Sequence, residues 1–185
     1  MKYFSYDLIA KANEWTTEDP AVQSAASQEL NLQTEAYYQE LDELRGRVPE
    51  SAWKFFRYGY AETGLHDGRL VSMNIGDNVP GRRINGAVGT GASVVFLSFG
   101  ERFLYSFGLE SVISCNANLG IDSTLADRNL GDLYTYELTR EKDHWLRINF
   151  LFATGSEIEI TFERLKFKRT KFAKSGNKLE NRKLR

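Results

Sequence analysis

The feature that most constrains this chain is a change of hydrophobic period near Gly64. Before it, apolar residues recur every three or four positions, the spacing of one helix face. After it, they alternate with polar ones, the spacing of half-buried strands. A chain that makes this switch once, with no strand before it and no long helix after it, reads as α+β, with N-terminal helices followed by antiparallel strands. Its 185 residues supply 24 Phe, Tyr and Trp and only 3 Pro, so a packed core is expected and a collagen-like or mostly disordered chain is excluded.

The helical part spans residues 1–62. Ser5 or Asp7 can cap a first helix running to Trp15, with Leu8, Ile9 and Ala12 on one side. Thr16-Thr17-Glu18-Asp19-Pro20 starts a second helix: polar capping residues, early acids and a proline in the first turn. Its stripe is Val22, Ala25, Ala26, Leu30, Tyr37, Leu41 and Leu44, and Gly46-Arg47-Val48-Pro49 ends it. A third helix opens at Pro49-Glu50-Ser51 and runs to about Tyr60, with Trp53, Phe56 and Tyr60 as its ridge.

Residues 63–169 form the sheet, packed with the helices as one unit. In the first strand Val71, Met73 and Ile75 are expected to face inward. Residues 76–91, with Gly76, Gly81, Gly86, Gly89 and Gly91, make a long connection. Val94–Leu97 reads as a central strand and Phe103–Leu109 as its alternating neighbour, with Val112–Asn116 extending it or forming the next. After a polar loop over 118–132, three strands follow, bearing Tyr134/Tyr136/Leu138, Ile148/Phe150/Phe152 and Ile158/Ile160/Phe162. Leu165 and Phe167 have the opposite parity, so a bulge or break is expected near Glu163-Arg164. The short turns predict an antiparallel meander, capable of curling into a half-barrel, with helices on one face.

The formal charge of -1 sums unlike parts. Residues 1–50 carry -6, residues 51–163 carry -4 and residues 164–185 carry +9. The basic end is a candidate anion or nucleic-acid contact through Lys166, Lys168, Arg169, Lys171 and Lys174; neutralisation of the chain's own acidic helices is the expected alternative. Residues 170–185 read as a basic tail.

Catalytic signals are sparse. Gly86-Ala87-Val88-Gly89-Thr90-Gly91 precedes a strand and lacks Gly-Lys-Ser/Thr, so it reads as a hairpin connection and not a phosphate cradle. His66-Asp67, on the turn between Gly64 and Gly68, is the sharpest polar feature: a carboxylate beside an imidazole can orient a general base or hold a metal. Glu137 and His144 are the other weak candidates for a shared cluster. As an alternative, His66 and Asp67 are turn residues, with Asp67 accepting backbone N–H bonds. Cys115 stands alone, so no disulfide is available and a small buried hydrophobe is expected. Trp15, Trp53 and Trp145 are expected in the core. No cofactor and no metal site is expected.

No stretch approaches the roughly 18 apolar residues of a spanning helix, and Met1–Ile9 lacks the apolar core of a signal peptide. With the lone thiol, this predicts a cytoplasmic protein that does not enter membranes. The Met1-Lys2-Tyr3-Phe4 start, the Leu65-His66-Asp67-Gly68 turn before a strand and the Gly131–Glu137 strand resemble small bacterial proteins grouped as a domain of unknown function. The resemblance implies helices followed by an antiparallel sheet, and similar patterns occur in bacterial immunity-type proteins that bind a toxin. The leading expectation is a non-enzymatic protein that works through a protein partner, immunity- or regulator-like, and able to form homo-oligomers. The alternatives are a small-ligand protein or hydrolase using His66 and Asp67, and a nucleic-acid binder using the basic end.

Overall fold

The computed structural model describes residues 1–13, 19–62, 65–76, 83–84, 87–88, 90–118 and 130–171. Trp15, Lys174 with the rest of the tail beyond Lys171, and most of the glycine-rich and 118–132 connections lie outside these residues. Helices precede antiparallel strands, as the change of period requires.

Helix α1 (Tyr6–Ala12) is capped by Ser5, whose hydroxyl accepts the Leu8 N–H at 3.3 Å. Helix α2 (Pro20–Glu43) is capped by Asp19, with Pro20 in its first turn. Val22 and Ala25 are exposed; the stripe becomes core only at Ala26, Tyr37, Leu41 and, just past the helix, Leu44. Helix α3 (Glu50–Glu62) buries Ala52, Trp53, Phe55 and Phe56.

The strands are β1 (Arg69–Gly76), β2 (Arg83–Ile84), β3 (Ala87–Val88), β4 (Gly91–Leu97), β5 (Phe103–Glu110), β6 (Ser114–Asn118), β7 (Leu133–Arg140), β8 (Leu146–Phe152), β9 (Glu157–Phe162) and β10 (Arg164–Lys171). The expected meander is realised in β7-β8-β9. The strands divide between two four-stranded antiparallel sheets, ordered β1-β4-β5-β10 and β6-β9-β8-β7, beside a two-residue β2-β3 ladder; among the described residues no barrel closes. Face-to-face packing is fixed by rings from the two sheets: Phe96 lies 4.8 Å and Phe107 5.5 Å from Phe150.

The parity break at Glu163-Arg164 is where the chain leaves one sheet for the other. β9 pairs with β8, β10 pairs with β5, and the switch lets Phe162 and Leu165 both reach the core. Two inward faces differ from expectation for one shared reason. In β1, Leu70 and Ser72 pair with the consecutive residues Phe96 and Val95, so Val71 is the extra residue of a bulge and is 56% exposed, while Leu70 packs on the core. In β7, Leu133 and Thr135 pair with Phe152 and Leu151, so Tyr134 is the extra residue and Leu133 takes the buried place. Each bulge reverses the parity of the alternation across it; Met73 beyond the first packs on the core, while Ile75, near the end of β1, is exposed for a reason the bulge does not supply.

Helix α3 fills the opening between β7 and β10, the end strands of the two sheets. Phe55, absent from the expected ridge, is its centre: its ring lies 5.0 Å from Tyr136, 4.9 Å from Phe167, 5.2 Å from Tyr105 and 5.6 Å from Phe107. Burial of that ring gives α3 its place, at about 3–5 kcal/mol for removal of such a side chain.

Candidate functional site

The chain's first four residues lie against the outer face of the β6-β9-β8-β7 sheet. Cross-strand register places Glu137, Asn149, Glu159 and Asn116 in one row on that face. Glu137 is 0% exposed and accepts the backbone N–H groups of Lys2 and Tyr3 (the latter at 3.0 Å) and the Asn149 amide at 3.1 Å. A buried carboxylate is tolerated there because donors surround it. The Met1 α-amino group lies 3.1 Å from Glu157. Above, Glu40 of α2 takes the Lys2 ammonium, the Tyr3 hydroxyl and, at 2.7 Å, the Arg140 N–H. Burial opposes ionisation of Glu40, but the hydrogen bonds from Lys2, Tyr3 and Arg140 outweigh it and hold its pKa below the ordinary value.

This N-terminal strap forms one wall of a cleft of about 620 Å³. Phe4 of the strap packs edge-on to Tyr37 at 5.1 Å. The other walls include Ile9 and Asn13 of α1, Thr34, Tyr37 and Tyr38 of α2, Phe56 of α3, and Tyr134 to Tyr136 of β7. Tyr37 is buried and its hydroxyl accepts the Leu138 N–H at 3.2 Å; burial keeps its phenol well above the usual pKa. Arg57, on the outer side of α3, stacks over Tyr38 at 4.1 Å.

His66 enters the cleft from the turn before β1. That turn is held by Asp67 N–H to the Leu133 carbonyl at 2.8 Å and by Leu133 N–H to the Gly68 carbonyl at 2.7 Å. Gly68 is required by close approach: a Cβ there would stand 2.7 Å from the Leu65 carbonyl oxygen and 2.9 Å from that of Leu97. The turn therefore sits beside the β7 bulge, which aims Tyr134 at His66. Their rings are 5.4 Å apart. Asn13 donates to the Tyr134 hydroxyl at 2.9 Å, and Asp67 lies 3.0 Å from His66 Nδ1. An imidazole held at Nδ1 by a carboxylate presents its other nitrogen in a fixed direction.

The sequence candidates thus separate. His66 and Asp67 pair at the cleft, and the described partner of the Asp67 carboxylate is the imidazole and not the backbone. Glu137 is committed to the strap. His144 stacks on half-buried Trp145 at the β7–β8 turn, its carbonyl accepting Arg47 at 2.7 Å. Cys115 is half-buried opposite Ile160, and burial raises its thiol pKa, which keeps it protonated at neutral pH. Among the described residues no group of three His, Cys, Asp or Glu is placed to hold a metal ion.

The basic candidates of β10 alternate across its two faces, with Lys166 and Lys168 on one and Arg169 and Lys171 on the other. Lys166 pairs with Glu110. Among the described residues, no ion pair joins β10 to the acidic helices. Those helices are instead neutralised by Lys2 at Glu40, Arg57 at Asp42 and Arg140 at Glu43.

Asn13, Thr34, Tyr38 and Tyr134 were not singled out from sequence. The one available signal was the pair of adjacent bulky residues Leu133-Tyr134, which cannot both fit one alternating face without a bulge. No protein-family model, curated protein or solved structure matches the chain. No helix among the described residues is long and apolar enough to cross a membrane.

Proposed function

We propose that the protein binds a small, planar, mostly apolar ligand in the cleft beneath the N-terminal strap. The observation that carries this reading is the concavity itself: aromatic walls with a few polar side chains among them, of which Asn13, Tyr134 and His66 adjoin one another. The paired His66 and Asp67 also keep a hydrolase reading in view, with Thr34 and Thr135 as cleft hydroxyls. Saturation-transfer NMR with indole, quinoline and benzamide tests the site. At least one fragment is expected to bind the native chain, and Thr34→Trp, which fills the cleft, is expected to abolish that binding. No binding to the wild type, or undiminished binding to the variant, overturns the proposal.

A second reading, recognition of a protein partner, is favoured by the β1 edge of the β1-β4-β5-β10 sheet, with which no further strand pairs among the described residues. There Val71 and Ile75 (44% exposed) lie on β1, and Phe99 (68% exposed) tops the β4–β5 turn. This is the immunity- or regulator-like function that the bacterial resemblance suggests. A single partner retained at physiological salt by the wild type and lost with Val71→Lys supports it; recovery of no specific partner rejects it.

A further inference from the structure

Most bases among the described residues are matched to an acid. Arg45 and Lys54 meet Glu50, Arg69 meets Glu101, Arg147 meets Glu141 and Glu159, and Lys166 meets Glu110. At one end of the β5-β10 ladder this pattern fails. Arg102, Lys168, Arg169 and Lys171 are all exposed there, and none has an acid within ion-pair distance among the described residues. Register brings them together: Lys171 pairs with Phe103, next to Arg102, and Arg169 pairs with Tyr105. Phe103 is half-buried, and the Arg169 guanidinium lies 5.0 Å from its ring centre. Thr170 adds an exposed hydroxyl between the bases.

We infer that this end of the sheet binds the phosphate backbone of a single-stranded nucleic acid. Four exposed cations gathered at one sheet end, with no acid at ion-pair distance among the described residues, supply a local positive field, to which phosphates respond with release of counterions. The hydroxyl of Thr170 suits a phosphate oxygen. The exposed Arg169 guanidinium, backed by the Phe103 ring, offers a plane on which a base can lie, which favours a single strand over a duplex. Alternation on β10 points the bases to both sides of one strand, so the contact wraps the sheet end instead of lying on one flat face. Beyond it the chain continues with Lys174, Lys178, Arg182, Lys183 and Arg185 against Glu180 alone.

The test is fluorescence anisotropy of a labelled 20-nucleotide oligouridylate with the full chain. Four phosphate contacts predict a slope of about -2.8 in log K against log salt, so that affinity drops roughly 50-fold from 50 to 200 mM. Lys168→Glu with Lys171→Glu should weaken binding at least about tenfold at 50 mM salt and flatten the slope by about 1.4. Lys142→Glu, an exposed charge on the β7–β8 turn, should leave it within about twofold. If the double reversal does not fold by circular dichroism, Arg102→Gln with Lys171→Gln replaces it and should flatten the slope equally. Absence of binding at 50 mM salt with protein at about 100 μM, equal loss in Lys142→Glu, or an unchanged affinity in the β10 variants (binding by the tail alone) each overturns the inference. So does association with vesicles containing phosphatidylserine and none with the oligonucleotide.

Discussion

Glu137→Gln isolates the anchor of the N-terminal strap. The carboxylate receives three N–H donors, from Lys2, Tyr3 and Asn149, and is fully buried. Glutamine has the same shape but one acceptor oxygen; its amide nitrogen would face an N–H group, setting donor against donor. Hydrogen bonds to a charged acceptor contribute about 1.5–3 kcal/mol each. The variant is relieved of a buried charge, and the freed strap can turn its amides to water, so the net loss is smaller than their sum. A destabilisation of about 2–4 kcal/mol is expected, a fall in Tm of roughly 4–16 °C for a chain of this length. Chemical denaturation followed by tryptophan fluorescence gives the first number. Hydrogen exchange at the Tyr3 amide gives the decisive one, because protection there comes from Glu137 and should fall toward the unfolded rate. A stability within about 0.5 kcal/mol of wild type, or a destabilised variant that keeps Tyr3 protected, would refute the anchoring argument.

Three further outcomes follow from the same packing. Phe55→Ala should cost about 3–5 kcal/mol by denaturant titration, because four rings from both sheets lose their common contact; a loss below about 1 kcal/mol would mean that α3 is held elsewhere. Gly68→Ala should cost about 1–3 kcal/mol, since its Cβ would press on two backbone carbonyls, and a neutral result contradicts the close approach. For Glu40 the folded-state pKa lies below the unfolded value near 4.5, so its contribution is complete above that value and is lost as pH falls through the folded one. Stability between pH 5 and pH 3 should therefore drop less steeply in Glu40→Gln than in wild type, as read by urea titrations at stepped pH.

Much of the fold was legible because it depends on local period and local capping. Ser5 and the Asp19-Pro20 start announce their helices, and Phe103, Tyr105, Phe107 and Leu109 share the core side of β5 as their alternation requires. The break at Glu163-Arg164 was visible as a change of parity. That it carries the chain between sheets was not, since parity records which side a residue faces and not which strand it meets. The bulges at Val71 and Tyr134 were hidden for a related reason: each depends on the partner strand's register, and a one-residue shift leaves composition untouched. Of the site, His66-Asp67 stood out as a local pair, whereas Glu137 looked like a candidate acid until the strap reached it from about 135 positions away.

The sequence by itself determined the order of helices and strands, the alternation that buries the β5, β8 and β9 rings, and the concentration of positive charge beyond Glu163. Those properties come from residues close together in the chain, whose spacing alone sets which side they share. Only the tertiary structure decided that the strands form two facing sheets, that Phe55 fills the opening between them, that a strap held by Glu137 and Glu40 walls the cleft, and that four bases at the end of β10 and β5 meet no acid among the described residues. Each of these joins segments distant in sequence. Such contacts are selected by the packing of whole elements and by the pairing of buried charge, quantities no local window of residues contains.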